Sequence, residues 1–240
     1  MTNNSYNSDV QVPQKKWYKT PWGIALIILL FLILVSLSTF GFYVYSLIQK
    51  IKSGDTSLEQ AWQTAMLEPG PYEMANSSSS WTGATNPKIT IVEFADFNCP
   101  FCRNSYQTIR EISFKYKDSV KFIFRHYPVI QDNSLSLALA SECANEQGKF
   151  WPMHDALFQS SNPGENIDKI ISNIGLNVNQ FNNCLQTQKY LNKIKLDFLD
   201  AQKTAITGTP TWFINGHKIA GEIPREQFFQ LIKTLTSPKL

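Results

Sequence analysis

The 240-residue sequence has no second Cys-x-x-Cys. Of its four cysteines, Cys99 and Cys102 are the one close pair, and Cys143 and Cys184 are solitary and distant. A zinc ribbon needs two such pairs, so that architecture is excluded; a zinc half-site or two unpaired core cysteines are the bland readings left for Cys99 and Cys102. Charge of one sign is also missing. The 22 Lys and Arg against 19 Asp and Glu give a net charge of +3, with no basic patch interleaved with aromatics, and this argues against nucleic acid as a partner. Residues 20–49 contain no charge at all. From residue 133 to about residue 205 no strand signal occurs.

Hydrophobic residues make up 43% of the chain, enough for one good-sized core or two small ones. Residues 1–19 read as a polar cytoplasmic tail without periodicity, and residues 20–49 as a transmembrane anchor holding an unbroken apolar run over 24–35. Trp17, Tyr18 and Trp22 at one end, and Tyr43 and Tyr45 at the other, fit interfacial aromatic belts. A cleaved signal peptide with Ser36-Leu37-Ser38 as its small-x-small site is the rival reading, set against continued hydrophobicity through Phe40, Phe42, Val44 and Leu47. Lys15, Lys16 and Lys19 before the segment, against Lys50 and Lys52 after it, favour a cytoplasmic N-terminus and an extracytoplasmic remainder, where disulfides persist. Residues 50–86 read as a linker with a short helix around Leu58 to Met66; part of it packing as an extra edge strand is an open alternative.

The chemistry centres on residues 88–102. In the β-branched, aromatic run Ile89, Ile91, Glu93 and Ala95 share one strand face, and Val92 and Phe94 the other. The strand stops at Cys99-Pro100-Phe101-Cys102, and Tyr106, Ile109, Ile112 and Tyr116 continue at helical spacing. The thiols therefore enter a helix at its N-terminus, where unpaired N–H groups and the dipole favour an anion. Cys99 is expected to be a partly ionised nucleophile and Cys102 the inward-facing resolving thiol. Glu93, an acid in an apolar strand, is either a buried proton-exchange group or a surface acid at a strand end.

Residues 120–127 alternate as a second strand, and Arg125 is either a neighbour of Glu93 or a solvated charge. His126 and His154 are read as hydrogen-bonded or surface histidines rather than ligands. Helical spacing recurs across residues 133–205, a helical insertion that carries both Cys143 and Cys184. A disulfide between them would staple the insertion; a second redox pair is the alternative. Residues 211–214, Asn215-Gly216 and residues 217–220 then form a hairpin, and Pro224 opens a final helix with Phe228, Leu231, Ile232 and Leu235.

Val92-Glu93-Phe94 ahead of Cys99-Pro100-Phe101-Cys102, the stretch Gln147-Gly148-Lys149-Phe150-Trp151-Pro152-Met153-His154-Asp155, and Gly208-Thr209-Pro210-Thr211-Trp212-Phe213, in this order, resemble the DsbA-like thiol-disulfide oxidoreductases. The resemblance covers residues 87–240. It implies an α/β thioredoxin-like fold with an inserted helical subdomain, behind one N-terminal transmembrane helix. It further implies that Glu93 is the acid six positions before the first motif cysteine, and that Pro210 is a cis proline facing the dithiol, with Thr209 beside the sulfurs. The implied activity is disulfide formation in reduced secreted or envelope proteins, with a membrane reoxidase of the DsbB or vitamin K epoxide reductase type, no organic cofactor or metal, and a monomeric enzyme. An isomerase or reductase of the same fold, and a redox-inert binding module or chaperone, are the alternatives.

Overall fold

The computed structural model describes Tyr18 and residues 21–52, 70–74 and 79–237. The expected tail, Tyr18 apart, and the short helix around Leu58 to Met66 lie outside the described residues. The chain divides into two compact units, residues 1–59 and 60–240.

In the first unit, helix α1 (Pro21–Lys52) begins at a proline, whose missing N–H belongs to a position with no intrahelical acceptor. Its Pro21–Ser46 segment is long and apolar enough to cross a membrane. At ~1.5 Å per residue such a segment exceeds the ~30 Å of a hydrocarbon core, a length that would allow it to cross one with tilt. Three hydroxyls within it are satisfied locally: Ser38, Thr39 and Ser46 each donate to the carbonyl three residues back, at 2.9, 2.9 and 2.8 Å.

The second unit is a mixed five-stranded sheet flanked by helices. Strands β1 (Ser80–Gly83), β2 (Ile89–Ala95), β3 (Val120–His126), β4 (Thr211–Ile214) and β5 (His217–Ala220) lie in the order β1-β3-β2-β4-β5. The β2 and β3 pair is parallel, joined through helix α2 (Pro100–Lys115); the other pairs are antiparallel. Strand β1 lies in the stretch read as linker and forms the edge strand that the sequence left open. Between β3 and β4 come α3 (Ser134–Asn145), α4 (Phe150–Gln159), α5 (Ile167–Asn173), α6 (Val178–Gln186) and α7 (Leu191–Lys203), and α8 (Arg225–Thr236) ends the unit. This is the thioredoxin-like fold with its helical insertion.

The period-two alternation of β2 builds a core on each face of the sheet. Ile89, Ile91 and Ala95 join Phe122, Phe124, Trp212 and the helices α2, α4 and α8, while Val92 and Phe94 join Ile123, Phe213 and Ala201 of α7. Residues 70–74 close the second face. Tyr72 meets Phe213 edge-on at 5.4 Å, and the Gly70 N–H donates to the Asn215 carbonyl at 2.7 Å. A Cβ on Gly70 would lie 2.4 Å from the Gly216 carbonyl carbon, so only glycine allows that approach. Gly216 itself, with Asn215, takes the positive φ of the tight hairpin turn.

Register corrects one expectation. Glu93 pairs with Phe124 and Arg125 with Phe94, so Arg125 emerges on the face opposite Glu93 and cannot be its partner. Arg125 is buried and satisfied instead by Asp197 (2.8 Å), Asp200 (2.7 Å) and the Met74 carbonyl (3.2 Å). A buried guanidinium requires such acids, and α7 supplies both.

Candidate active site

Strand β2 ends at Ala95, and Asp96, Phe97 and Asn98 turn the chain into α2, whose N-cap is Cys99 and whose first residue is Pro100. No side chain caps the helix, so its first N–H groups face the Cys99 sulfur. Phe97 anchors the turn from below, stacked on Phe124 at 5.3 Å and tilted on Phe158 at 4.9 Å. Pro210, in the loop before β4, follows a cis peptide bond and brings Thr209 over the dithiol. The Cys99 thiol donates to the Thr209 carbonyl at 3.2 Å.

Both cysteines carry free thiols and are buried, yet their environments push them apart. The Cys99 thiol is pulled down to about 6, first by a hydrogen bond from Cys102, then by the Thr209 side chain and the N–H groups of Cys102 and Phe101, all against its own burial. Cys102 is pushed well above its ordinary range by burial, by its role as donor to Cys99 and by the negative charges of Glu93 and Cys99. The pair thus holds one thiolate and one thiol at neutral pH. Thr209 Oγ1 is buried and has no hydrogen-bond partner while the thiol points at the carbonyl; a Cys99 thiolate gives that hydroxyl an acceptor.

Glu93 is buried on the helix-covered face of the same strand, with Oε1 unpartnered. Burial first, and the negative Cys99 second, push its carboxyl well above the usual carboxylate range. A protonated acid beside an uncharged thiol is equipped to exchange a proton with it. Replacing Glu93 by Gln is expected to slow each step that protonates or deprotonates Cys102 by about 10²-fold. The same variant has a stability signature of definite sign. An acid kept protonated in the folded state destabilises it once pH rises above the unfolded pKa, so Glu93→Gln should melt higher than wild type at pH 8 and the same at pH 4. Equal melting temperatures at both pH values would show that Glu93 is not a buried acid.

Sequence reading passed over Asp96, Asn98 and Ser134. Asp96 is buried, and its carboxylate receives four hydrogen bonds, from Asn98, Ser134, Val129 and Ile130. An acid at a strand end is an ordinary sequence feature, so the one available signal was its position three residues before the motif. His126 and His154 are both buried and bonded to acids, His126 to Glu142 and His154 to Asp155, each at 2.9 Å. Cys143 and Cys184 are joined to each other between α3 and α6, in the insertion. Among the described residues no group of three or more His, Cys, Asp or Glu side chains is placed to hold a metal ion.

A thioredoxin family model matches residues 75–234. Among curated proteins, the Na(+)/H(+) antiporter NhaA 3 of Salinispora tropica is 32% identical over 143 residues, 58% of this chain and 22% of the antiporter. The Na(+)/H(+) antiporter NhaA 1 of Mycobacterium sp. (strain KMS) is 32% identical over 145 residues, 58% of this chain and 24% of that protein. The chain thus spans less than a quarter of the length of the curated relatives it matches. Among solved structures, the thiol-disulfide exchange protein alpha-DsbA2 of Wolbachia pipientis is similar at 22% identity over 67% of this chain and 89% of that one, with a TM-score of 0.61. BdbD of Bacillus subtilis, in its oxidised form, is similar at 22% identity over 70% and 98% of the two chains, also at 0.61. Both likenesses show a shared fold.

Proposed function

This chain belongs to the thioredoxin family, and on that premise, with DsbA-like thiol-disulfide oxidoreductases as its structural neighbours, we propose that it forms disulfides in reduced secreted or envelope proteins from a membrane-anchored, extracytoplasmic position. The observation that carries this reading is a Cys99 thiol drawn to about 6 at the start of α2, opposite Thr209. A thiolate this stable favours the reduced enzyme, which makes the disulfide an oxidant.

In the proposed cycle a substrate thiolate attacks Cys99 Sγ of the oxidised pair. The Cys99–Cys102 bond breaks as the mixed disulfide forms, and Cys102, leaving as a thiolate, takes its proton from Glu93. A second substrate thiolate then attacks the substrate sulfur and expels Cys99. Two electrons pass to the enzyme dithiol and one disulfide remains on the substrate. The low pKa of Cys99 makes it the better leaving group in that last step. Regeneration requires a reoxidant; a membrane protein of the DsbB or vitamin K epoxide reductase type fits a monomeric enzyme held at the membrane by α1. The lysine excess before α1 supports the cytoplasmic N-terminus.

The Phe101 side chain is exposed between the two cysteines and offers the thiolate neither charge nor a donor, whereas the Thr209 hydroxyl offers one. We therefore expect an oxidant of intermediate strength, between roughly −120 and −230 mV. Equilibrating the full-length protein in detergent against glutathione buffers gives the value. A potential at or below about −270 mV, where thioredoxin-like reductants lie, would overturn the oxidase reading in favour of a reductase.

A further inference from the structure

The turn that carries Cys99 does not hold itself. Its one buried acid, Asp96, is bonded at every site its carboxylate and backbone present. Oδ1 accepts the Asn98 N–H at 2.8 Å and the Ser134 hydroxyl at 2.9 Å, and Oδ2 accepts the N–H groups of Val129 and Ile130, both at 2.8 Å. Its carbonyl accepts the Cys99 N–H at 3.0 Å, and its own N–H favours the Cys102 sulfur. Asn98 reaches the same loop from the other side of the turn. Its Nδ2 donates to Asn133 Oδ1 at 2.7 Å and to Ser134 Oγ at 3.0 Å, and Ser134 Oγ also accepts the Gln131 N–H at 3.0 Å. Three of the four donors to the carboxylate thus come from residues 129–134, where the chain leaves β3 and enters the helical insertion.

From this geometry we infer that Asp96 is a positioning residue, by which the entrance of the helical insertion fixes the catalytic turn and the two sulfurs relative to the start of α2. The inference rests on the redox reading of Cys99 and Cys102 and adds to it a task for the insertion. A thiolate gains from helix N–H groups only while its sulfur stays in line with them, and that benefit falls away beyond the first turn. A carboxylate that satisfies four donors at once tolerates no rotation. In Asp96→Asn the amide nitrogen faces at least one N–H donor whichever way it is turned, so at least one bond is lost.

Two other roles for Asp96 predict different outcomes. As a charge alone, it would hold the Cys99 thiolate back, and Asp96→Asn would lower the pH at which Cys99 ionises. As a structural tie alone, it would alter the melting temperature and nothing at the sulfur. A positioning role predicts that the ionisation midpoint rises, because the sulfur loses its donors, and that Ser134→Ala, which changes no charge, moves it in the same direction.

The experiment follows alkylation of reduced Cys99 by iodoacetamide against pH, in the full-length protein in detergent, for wild type, Asp96→Asn, Ser134→Ala and Lys193→Met. The last removes the Lys193 to Glu142 pair within the insertion, which gives no hydrogen bond to Asp96 or Asn98, and serves as the control for lost stability. We expect the midpoint to rise by about one pH unit in Asp96→Asn and by less in Ser134→Ala, with Lys193→Met unmoved. A fall in Asp96→Asn, or midpoints equal to wild type in both turn variants, overturns the inference. Should Asp96→Asn fail to fold, Ser134→Ala decides alone. Those failures leave the redox reading intact; a wild-type Cys99 that alkylates no faster than free glutathione overturns the redox reading and the positioning role together.

Discussion

Full-length protein carrying Cys99→Ser is expected to lose at least about 10³-fold of its rate of disulfide formation in a reduced test protein, because the attacked and leaving sulfur are then the same missing atom. Cys102→Ser should behave differently. It retains the Cys99 thiolate but has no resolving thiol, so it should accumulate mixed disulfides with disulfide-bearing proteins, visible as adducts that dithiothreitol releases. The pH dependence has a fixed sign. The thiolate reacts and the thiol does not, so in reduced wild type the alkylation rate of Cys99 should climb through pH 6 and level off above it, where a free thiol is still mostly protonated. Full activity in Cys99→Ser would leave a redox-inert binding module as the better reading.

The second large effect is on stability. Opening the Cys143 to Cys184 disulfide, which closes a span of 41 residues between α3 and α6, is expected to destabilise the domain by about 4 kcal/mol on loop entropy alone. Both sulfurs are buried among the insertion's apolar side chains, so Cys143→Ala with Cys184→Ala also leaves a gap in the packing. Thermal unfolding of this double variant, with Cys99 and Cys102 intact, measures the loss. The rate of substrate oxidation per folded molecule should stay within about twofold of wild type, since a staple takes no electrons. A large fall in that rate at unchanged stability would identify the pair as an electron relay.

Much of the fold was legible in short windows. The alternation of Ile89 to Ala95 sets which side chains face the helices, and the spacing after Cys102 marks the helix into which the thiols lead. The Asn215-Gly216 turn fixes the hairpin, because few residue pairs take positive φ at both central positions. The insertion showed itself through the absence of any strand signal over some seventy residues. Arg125 was not legible, because a basic residue in a strand is compatible with either face and with several acids. Nor were Asp96 and Ser134, whose residue types are common at strand ends and helix starts and acquire a role only from what they meet.

What the sequence determined by itself is therefore local: a strand that ends in two thiols, a helix that begins on them, an apolar segment long enough to cross a bilayer, and a helical stretch inserted between strands. Each follows from the periodicity and backbone preference of neighbouring residues. The tertiary structure decided the pairings between distant ones. Cys99 meets Thr209 across 110 positions, Arg125 meets Asp197 across 72, and Asp96 collects donors from residues 33 to 38 further on. Hydrogen-bonding capacity is written in a residue's type, but its partner is chosen by which loops the sheet order β1-β3-β2-β4-β5 brings side by side.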